Sequence, residues 1–214
     1  MEDLIYMIAM SALGAIVVPT WYFSKGEKRK RKLRKARRWS LAELPEGTFG
    51  KVVGTARIFE DTLTAPISGR PCVFYQIVVS YDDARSSQLL KEAIGVPFII
   101  EDETGRAVVD PRGAEVLLVQ DRFRISGELD ATTPVEAALL SRHAKLRGPG
   151  TKLWYRESII EAGEVVAIYG AGGHEPDPEA SPAAEYRGAP SMRLRLSSAR
   201  SYTLLLSDDP VMVA

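Results

Sequence analysis

The sequence predicts an α+β, mainly β fold: an N-terminal transmembrane helix followed by a β-barrel or sandwich-like domain with one inserted helix. Three observations predict it. Twenty residues without a charge run from Leu4 to Phe23. Beyond residue 40, short alternating apolar segments recur with turn signals about every 8–12 residues. One capped helical segment, beginning at Thr133, interrupts them.

At about 1.5 Å per residue, the uncharged stretch covers roughly 30 Å as a helix, the thickness of a bilayer's hydrocarbon core. Trp21, Tyr22 and Phe23 close it, where amphipathic rings favour the headgroup layer. A cleaved signal peptide would carry its bases before the apolar stretch, whereas Met1-Glu2-Asp3 precede this one and the bases follow it. Residues 25–38 hold ten bases (Lys25, Lys28, Arg29, Lys30, Arg31, Lys32, Arg34, Lys35, Arg37 and Arg38) against the single acid Glu27. With these and Glu2 and Asp3 set aside, residues 39–214 carry 18 bases and 25 acids, a net charge of −7. Bases beside a span stay on the cytoplasmic side, so the expected topology is single-pass in the cell (inner) membrane, amino terminus outside and domain cytoplasmic.

A basic run also suits nucleic acid, but that use needs interleaved aromatics or a basic fold, and residues 39–214 are acidic. Anionic lipid is the expected partner, at about 1 kcal/mol per base near the surface. The candidate headgroup contacts are Lys28, Arg29, Lys30, Arg31, Lys32, Arg34, Lys35, Arg37 and Arg38. A protein partner of unknown identity is expected as well, and nucleic acid is not.

In order along the domain, Ser40-Leu41-Ala42-Glu43 reads as a capping box opening a short helical turn. Gly50–Ile58 reads as a strand, and Thr62–Gly69 ends in a turn. Cys72–Tyr81 is the clearest strand, with Val73, Tyr75, Ile77, Val79 and Tyr81 on one face at period two. Pro97–Glu101 and Arg106–Asp110 form a hairpin around Asp102-Glu103-Thr104-Gly105, with Gly105 taking a positive φ. Val116–Val119 and Phe123–Gly127 are two more short strands. The helix starts with Thr133 as N-cap, Pro134 at its first position and Glu136 completing a capping box, and runs to about Leu146. Strands at Leu153–Ile160 and Glu164–Gly170 meet at a tight turn, Glu161-Ala162-Gly163. Residues 171–190 are rich in Gly, Pro and acid and read as an exposed, mobile loop. Met192–Leu196 and Tyr202–Leu206 close the domain as a hairpin. Gly54, Gly69, Gly105 and Gly163 are the glycines expected to supply unusual backbone angles.

The candidate chemistry is thin. Cys72 is the only cysteine, begins a strand and reads as a small buried hydrophobe, and a lone cysteine is no nucleophile signature. His143 falls on the predicted helix and His174 in the predicted loop. Gly170-Ala171-Gly172-Gly173 lacks the helix a dinucleotide loop requires. The acid pairs Glu101/Asp102 and Asp208/Asp209 read as solvated hairpin ends. No catalytic residue, metal ligand or cofactor is expected.

The string Leu63-Thr64-Ala65-Pro66-Ile67-Ser68-Gly69-Arg70-Pro71-Cys72-Val73-Phe74-Tyr75 resembles a segment of the GIDE (BAM) domain. That is the membrane-adjacent domain of mitochondrial membrane-anchored E3 ubiquitin ligases and prokaryotic relatives. Gly50-Lys51-Val52-Val53-Gly54 precedes it; Pro97-Phe98, Asp102, Gly105, Val109-Asp110-Pro111, Trp154-Tyr155-Arg156-Glu157 and Gly163 to Gly170 follow in order. The matching positions Pro66, Ser68, Gly69, Cys72, Pro97, Phe98, Asp102, Gly105, Pro111, Tyr155, Glu157, Gly163 and Gly170 read as structural. The resemblance implies a membrane-tethered interaction domain. It does not extend to ligase activity, because a RING needs eight Cys or His ligands and this sequence has three such residues. The expected organisation is an anchor (1–24), a polybasic juxtamembrane segment (25–39), a GIDE-like β-rich domain (40–170), a flexible loop (171–190) and a C-terminal hairpin (191–214). Its expected role is non-catalytic binding. The alternatives are a membrane-attached hydrolase, using Cys72 or acid residues, and an OB-like membrane assembly factor.

Overall fold

The computed structural model describes residues 25–81, 87–125, 133–143, 152–177, 192–199 and 201–214. Of these, 49% lie in strands and 15% in helices, and the sheets are mixed. The expected span Leu4–Phe23 lies outside the described residues. Among those described, no helix is long and apolar enough to cross a membrane.

Helix α1 (Lys25–Lys35) leads to strand β1 (Arg38–Trp39) and the long β2 (Gly50–Ile58). A ribbon of β3 (Leu63–Thr64) and β4 (Pro71–Cys72) is followed by β5 (Phe74–Tyr81), β6 (Gln88–Gly95), β7 (Phe98–Glu101) and β8 (Arg106–Asp110). Next come β9 (Glu115–Val116), β10 (Arg122–Ile125), α2 (Pro134–Arg142), β11 (Leu153–Ile160) and β12 (Val165–Gly170). Then β13 (Gly172–Pro176), β14 (Met192–Ser197), β15 (Leu205–Ser207) and α3 (Pro210–Val213) complete the chain.

Nine strands form one mixed sheet in the order β13-β14-β8-β7-β2-β12-β15-β9, with β1 parallel to β2. Ala171 alone links β12 to β13, yet four strands separate the two in this ladder. The sheet therefore curls until the bent strand β12–β13 meets it at both ends, pairing with β2 through one half and with β14 through the other. Gly172 permits the bend, because a Cβ there would lie 2.5 Å from the Arg195 carbonyl oxygen. One core fills the curl: Val52 and Ala56 of β2, Phe98 and Ile100 of β7, Ala107 and Val109 of β8, Val166 and Ile168 of β12, and Leu194 and Leu196 of β14. β2 is buried on both faces, since Val53 turns outward into a smaller cluster under α1 and α3.

The second sheet, β10-β11-β5-β6, is antiparallel. Tyr75, Ile77 and Val79 alternate along β5 to face Leu139 and Leu140 of α2, forming a second core. Val73 departs from the expected stripe: a bend between β4 and β5 turns it into the first core with Phe74. The cap of α2 forms as the sequence predicts. Thr133 Oγ1 accepts the Glu136 N–H at 3.3 Å, and the Glu136 carboxylate accepts the Thr133 N–H at 3.0 Å. The helix stops at Arg142, short of Leu146, with His143 as its cap. Residues 144–150 lie outside the described residues.

Several expectations are corrected. Residues 172–176 of the predicted loop are strand β13, held by pairing with β14 and by charge pairs: Glu175 with Arg193, and Asp177 with Arg106. The predicted hairpin of residues 192–206 does not form. β14 pairs with β13 and with β8 in parallel, whereas β15 pairs with β12 and β9, and a single bridge, Ala199 to Tyr202, joins the two arms. Strand β6 has no counterpart in the sequence reading, because its inward positions include the charged Glu92. Ser40–Glu43 is a plain turn in which Ser40 Oγ donates to the Glu43 carboxylate at 2.9 Å instead of accepting a backbone N–H. Gly69 and Gly163 do have positive φ, +71° and +99°, but Gly54 and Gly105 do not. Gly54 serves close approach instead: a Cβ there would lie 2.7 Å from the Glu101 carbonyl oxygen. At Gly105 the turn is set by Asp102, whose carboxylate accepts the N–H groups of Thr104 at 2.7 Å and Gly105 at 3.0 Å.

Candidate functional site

The polybasic segment is a helix that docks on the domain. Within α1 the sequence KGEKRKRKLRK offers one large apolar residue, Leu33. It is fully buried against Val53, Ala167 and Met212, with Tyr169 and Leu117 beside them. Such burial stabilises by about 1.5–3 kcal/mol. Arg29 adds an ion pair with Glu115, but both side chains are about a third exposed, so this contributes at most about 1 kcal/mol. Leu33 therefore holds the helix and Arg29 orients it. Glu27 in the first turn and Lys32, Arg34 and Lys35 in the last complement the helix dipole.

The other bases remain largely at the surface. Lys28, Lys30, Lys32, Arg34, Lys35, Arg37 and Arg38 are exposed, and Arg29 and Arg31 are half-buried. Arg31 Nε donates to the Glu27 carbonyl at 3.3 Å. Arg37 lies over the Trp39 ring, 4.0 Å from its centroid, and Arg38 reaches the Ala214 carbonyl at 3.5 Å. Lys51 is buried beneath them and donates to the Met212 carbonyl at 3.2 Å. Burial, then the charge of Arg38, pull its ammonium below the ordinary lysine range.

Between α1 and the large sheet runs an open groove of about 520 Å³. Lys28, Arg29 and Lys32 form one flank, and Phe49, Tyr169 and Tyr202 line the other side. Phe49 stacks on Tyr169 at 6.1 Å and meets Tyr202 edge-on at 5.0 Å, while 46% of its surface stays exposed. The Lys32 ammonium lies 4.7 Å from the Tyr169 ring centroid, close enough for cation–π attraction. Tyr202 donates its hydroxyl to the Ala171 carbonyl at 3.2 Å, which fixes its ring beside Phe49. Cations along one side of a half-exposed aromatic cluster suit a ligand that is both anionic and amphipathic. The cations are plain in the sequence, whereas the aromatics are not, because they come from three separate segments.

The family-motif positions serve the fold. Glu157 on β11 is fully buried, and its carboxylate accepts the backbone N–H groups of Ile67 at 2.7 Å and Ser68 at 3.0 Å. The strings around Ser68 and Glu157, far apart in sequence, are thus one structural lock: a carboxylate on a strand holding the turn of the 63–72 ribbon. Gly69 completes that turn at positive φ, donating to the Ala65 carbonyl at 2.9 Å. Tyr155 is buried in the second core, Phe98 in the first, and the buried Pro111 packs near Gly95. Pro66 is half-buried in the ribbon turn, Pro97 precedes β7, and Gly170 faces Leu204 where a side chain would clash. Asp102 joins the β7–β8 turn to the chain after β1 by accepting the Leu41 N–H at 2.9 Å. Burial opposes its ionisation, but the hydrogen bonds from Thr104, Leu41 and Gly105 prevail and hold its carboxyl below the ordinary range.

Cys72 is buried, and burial first, then the charges of Glu157 and Glu161, push its thiol up to about 11. A thiol that stays protonated at neutral pH is a poor nucleophile. The acid pairs do not converge. Glu101 pairs with Arg57 at 3.0 Å, whereas Asp102 serves the turn. Asp208 accepts the Val119 N–H at 2.7 Å and Asp209 caps α3 through the Val211 N–H at 2.9 Å. Among the described residues, no three His, Cys, Asp or Glu side chains are placed to hold a metal ion.

One polar cluster escaped the sequence reading. Glu92 on β6 accepts the Tyr75 hydroxyl at 2.8 Å and Arg142 Nη2 at 2.9 Å, and its other oxygen lies 2.8 Å from His143 Nε2. Burial, then the bond to Glu92, raise the Tyr75 hydroxyl to about 12. Its location under the last turn of α2 ties that helix to the second sheet. No family model matches the chain, and neither a curated protein nor a solved structure does.

Proposed function

We propose that the chain is a single-pass, membrane-anchored, non-catalytic binding module, similar in kind to prokaryotic GIDE-domain proteins. It displays its β-rich domain on the cytoplasmic face and engages anionic lipid together with a protein partner. One observation carries this reading: the basic helix that follows the uncharged stretch Leu4–Phe23 is bonded to the domain through Leu33 and Arg29. A domain so attached sits against the bilayer surface rather than swinging on a linker. The ring of strands closed through Ala171 supports reading the large sheet as a small barrel, with the second sheet packed beside it. The lock between Glu157 and the Ile67–Ser68 turn is consistent with the family resemblance, since it gives two of its ordered segments one structural purpose. Ligase activity is not part of the proposal.

Alkaline carbonate extraction of membranes containing the chain tests the anchor. The chain should stay with the bilayer, and release into the wash would overturn the anchor. The hydrolase reading is disfavoured by the protonated, buried Cys72. Cys72→Ala should lower stability modestly and leave any membrane or partner binding intact.

A further inference from the structure

Resting on the membrane reading above, we infer that the groove between α1 and the large sheet seats the phosphate headgroup of an anionic bilayer lipid. Lys28 and Lys32 stand one turn apart on the same stripe of the helix, with Arg29 beside them. Among the described residues lining the groove, Arg29 pairs with Glu115, while Lys32 lies over the Tyr169 ring with Lys28 one turn before it. The opposite side of the groove is aromatic, and Phe49 remains half-exposed between Tyr169 and Tyr202. A phosphate fits the cationic flank, and the glycerol and first acyl carbons that follow it fit an aromatic wall. A free phosphate would leave that wall wet.

The placement of the groove selects a bilayer over a soluble ligand. Lys28, Arg29 and Lys32, which line the cleft, lie midway along α1, and α1 begins at Lys25, just beyond the uncharged Leu4–Phe23. The cleft thus lies within about two helical turns of the proposed anchor. Lys30 and Arg34 lie on the opposite stripe, exposed and away from the cleft, and contribute only long-range attraction.

The full chain is reconstituted in phosphatidylcholine vesicles with or without phosphatidylglycerol, carrying a fluorescent thiol label at Ser201→Cys, an exposed position on the rim of the groove that leaves the aromatic wall intact. The native Cys72 is buried with its thiol raised to about 11, so the label goes to position 201. A headgroup-level quencher should act several-fold more strongly on this label than on one at Phe123→Cys in the second sheet, and only when phosphatidylglycerol is present. The pair Lys28→Gln/Lys32→Gln should abolish that difference, and Lys30→Gln/Arg34→Gln should preserve it, with thermal midpoints of both pairs checked against the parent. Equal losses in the two pairs would reduce the effect to diffuse charge and overturn the seat. Quenching independent of phosphatidylglycerol, or abolished by inorganic phosphate at matched ionic strength, would overturn the lipid as occupant. A chain that floats with vesicles while the label at position 201 stays unquenched overturns the seat alone. A chain that does not float overturns the membrane reading itself.

Discussion

Two helices dock on the same β domain by opposite means. α2 buries Leu139 and Leu140, forms its capping box at one end and is tied at the other by Arg142 and His143 to the buried Glu92. α1 buries Leu33 and pairs the partly exposed Arg29 with Glu115, with most of its bases at the surface. The difference teaches where the chain keeps its polar groups for itself. Under α2 a carboxylate is surrounded by three donors; along α1 Lys28, Lys30, Lys32, Arg34 and Lys35 lie exposed at the surface.

Breaking the α2 tie should cost most. Glu92→Ala leaves the buried Tyr75 hydroxyl without its acceptor and cuts the tie to the half-exposed Arg142 and to His143; an orphaned buried donor together with the lost charge-assisted hydrogen bonds costs about 3 kcal/mol. A large fall in the urea midpoint, with the slope unchanged, is the expected result. Leu33→Ala should cost about 2–3 kcal/mol, and its effect should be local. Hydrogen exchange should quicken through residues 25–35 while α2 keeps its protection.

The α1 side also carries a pH term. Asp208, at the end of β15 before α3, has its carboxyl pushed up to about 6, by burial first and then by the charges of Asp121 and Asp209. The folded state therefore holds this proton more tightly than the unfolded chain, whose carboxyl titrates near 4. Stability from this group is gained as pH falls from about 6 toward 4 and is absent above 6. Asp208→Asn keeps an acceptor for the Val119 N–H, so it should raise stability at pH 7 by about 1 kcal/mol and flatten the pH profile in that window. Denaturant titrations at pH 4.5 and 7 check both signs. The smallest effect belongs to Arg29→Gln, below about 1 kcal/mol for a partly exposed pair and reduced further at high salt.

The sequence made legible what local chemistry decides. The cap of α2, the β7–β8 hairpin, the turn between β11 and β12 and the whole of β2 follow from side-chain period and turn residues. What it hid is long-range. β6 was invisible because Glu92 occupies an inward position that the period reserves for an apolar residue, and only Tyr75, Arg142 and His143 make that tolerable. β13 reads as a loop because Gly172, Gly173 and Pro176 carry no strand preference, and pairing with β14 supplies the order instead. The closing hairpin failed because the neighbours of β14 and β15 come from distant segments. At the site, the charge of α1 is plain, but one leucine among its eight bases gives no sign that the helix docks, and Phe49, Tyr169 and Tyr202 meet only in the fold.

The claim that the domain lies on the basic, cytoplasmic side of a bilayer is tested most directly by protease digestion of right-side-out and inverted vesicles bearing a tag after Ala214. The tag should be protected in right-side-out vesicles and removed in inverted ones. Digestion in right-side-out vesicles with protection in inverted ones would contradict it.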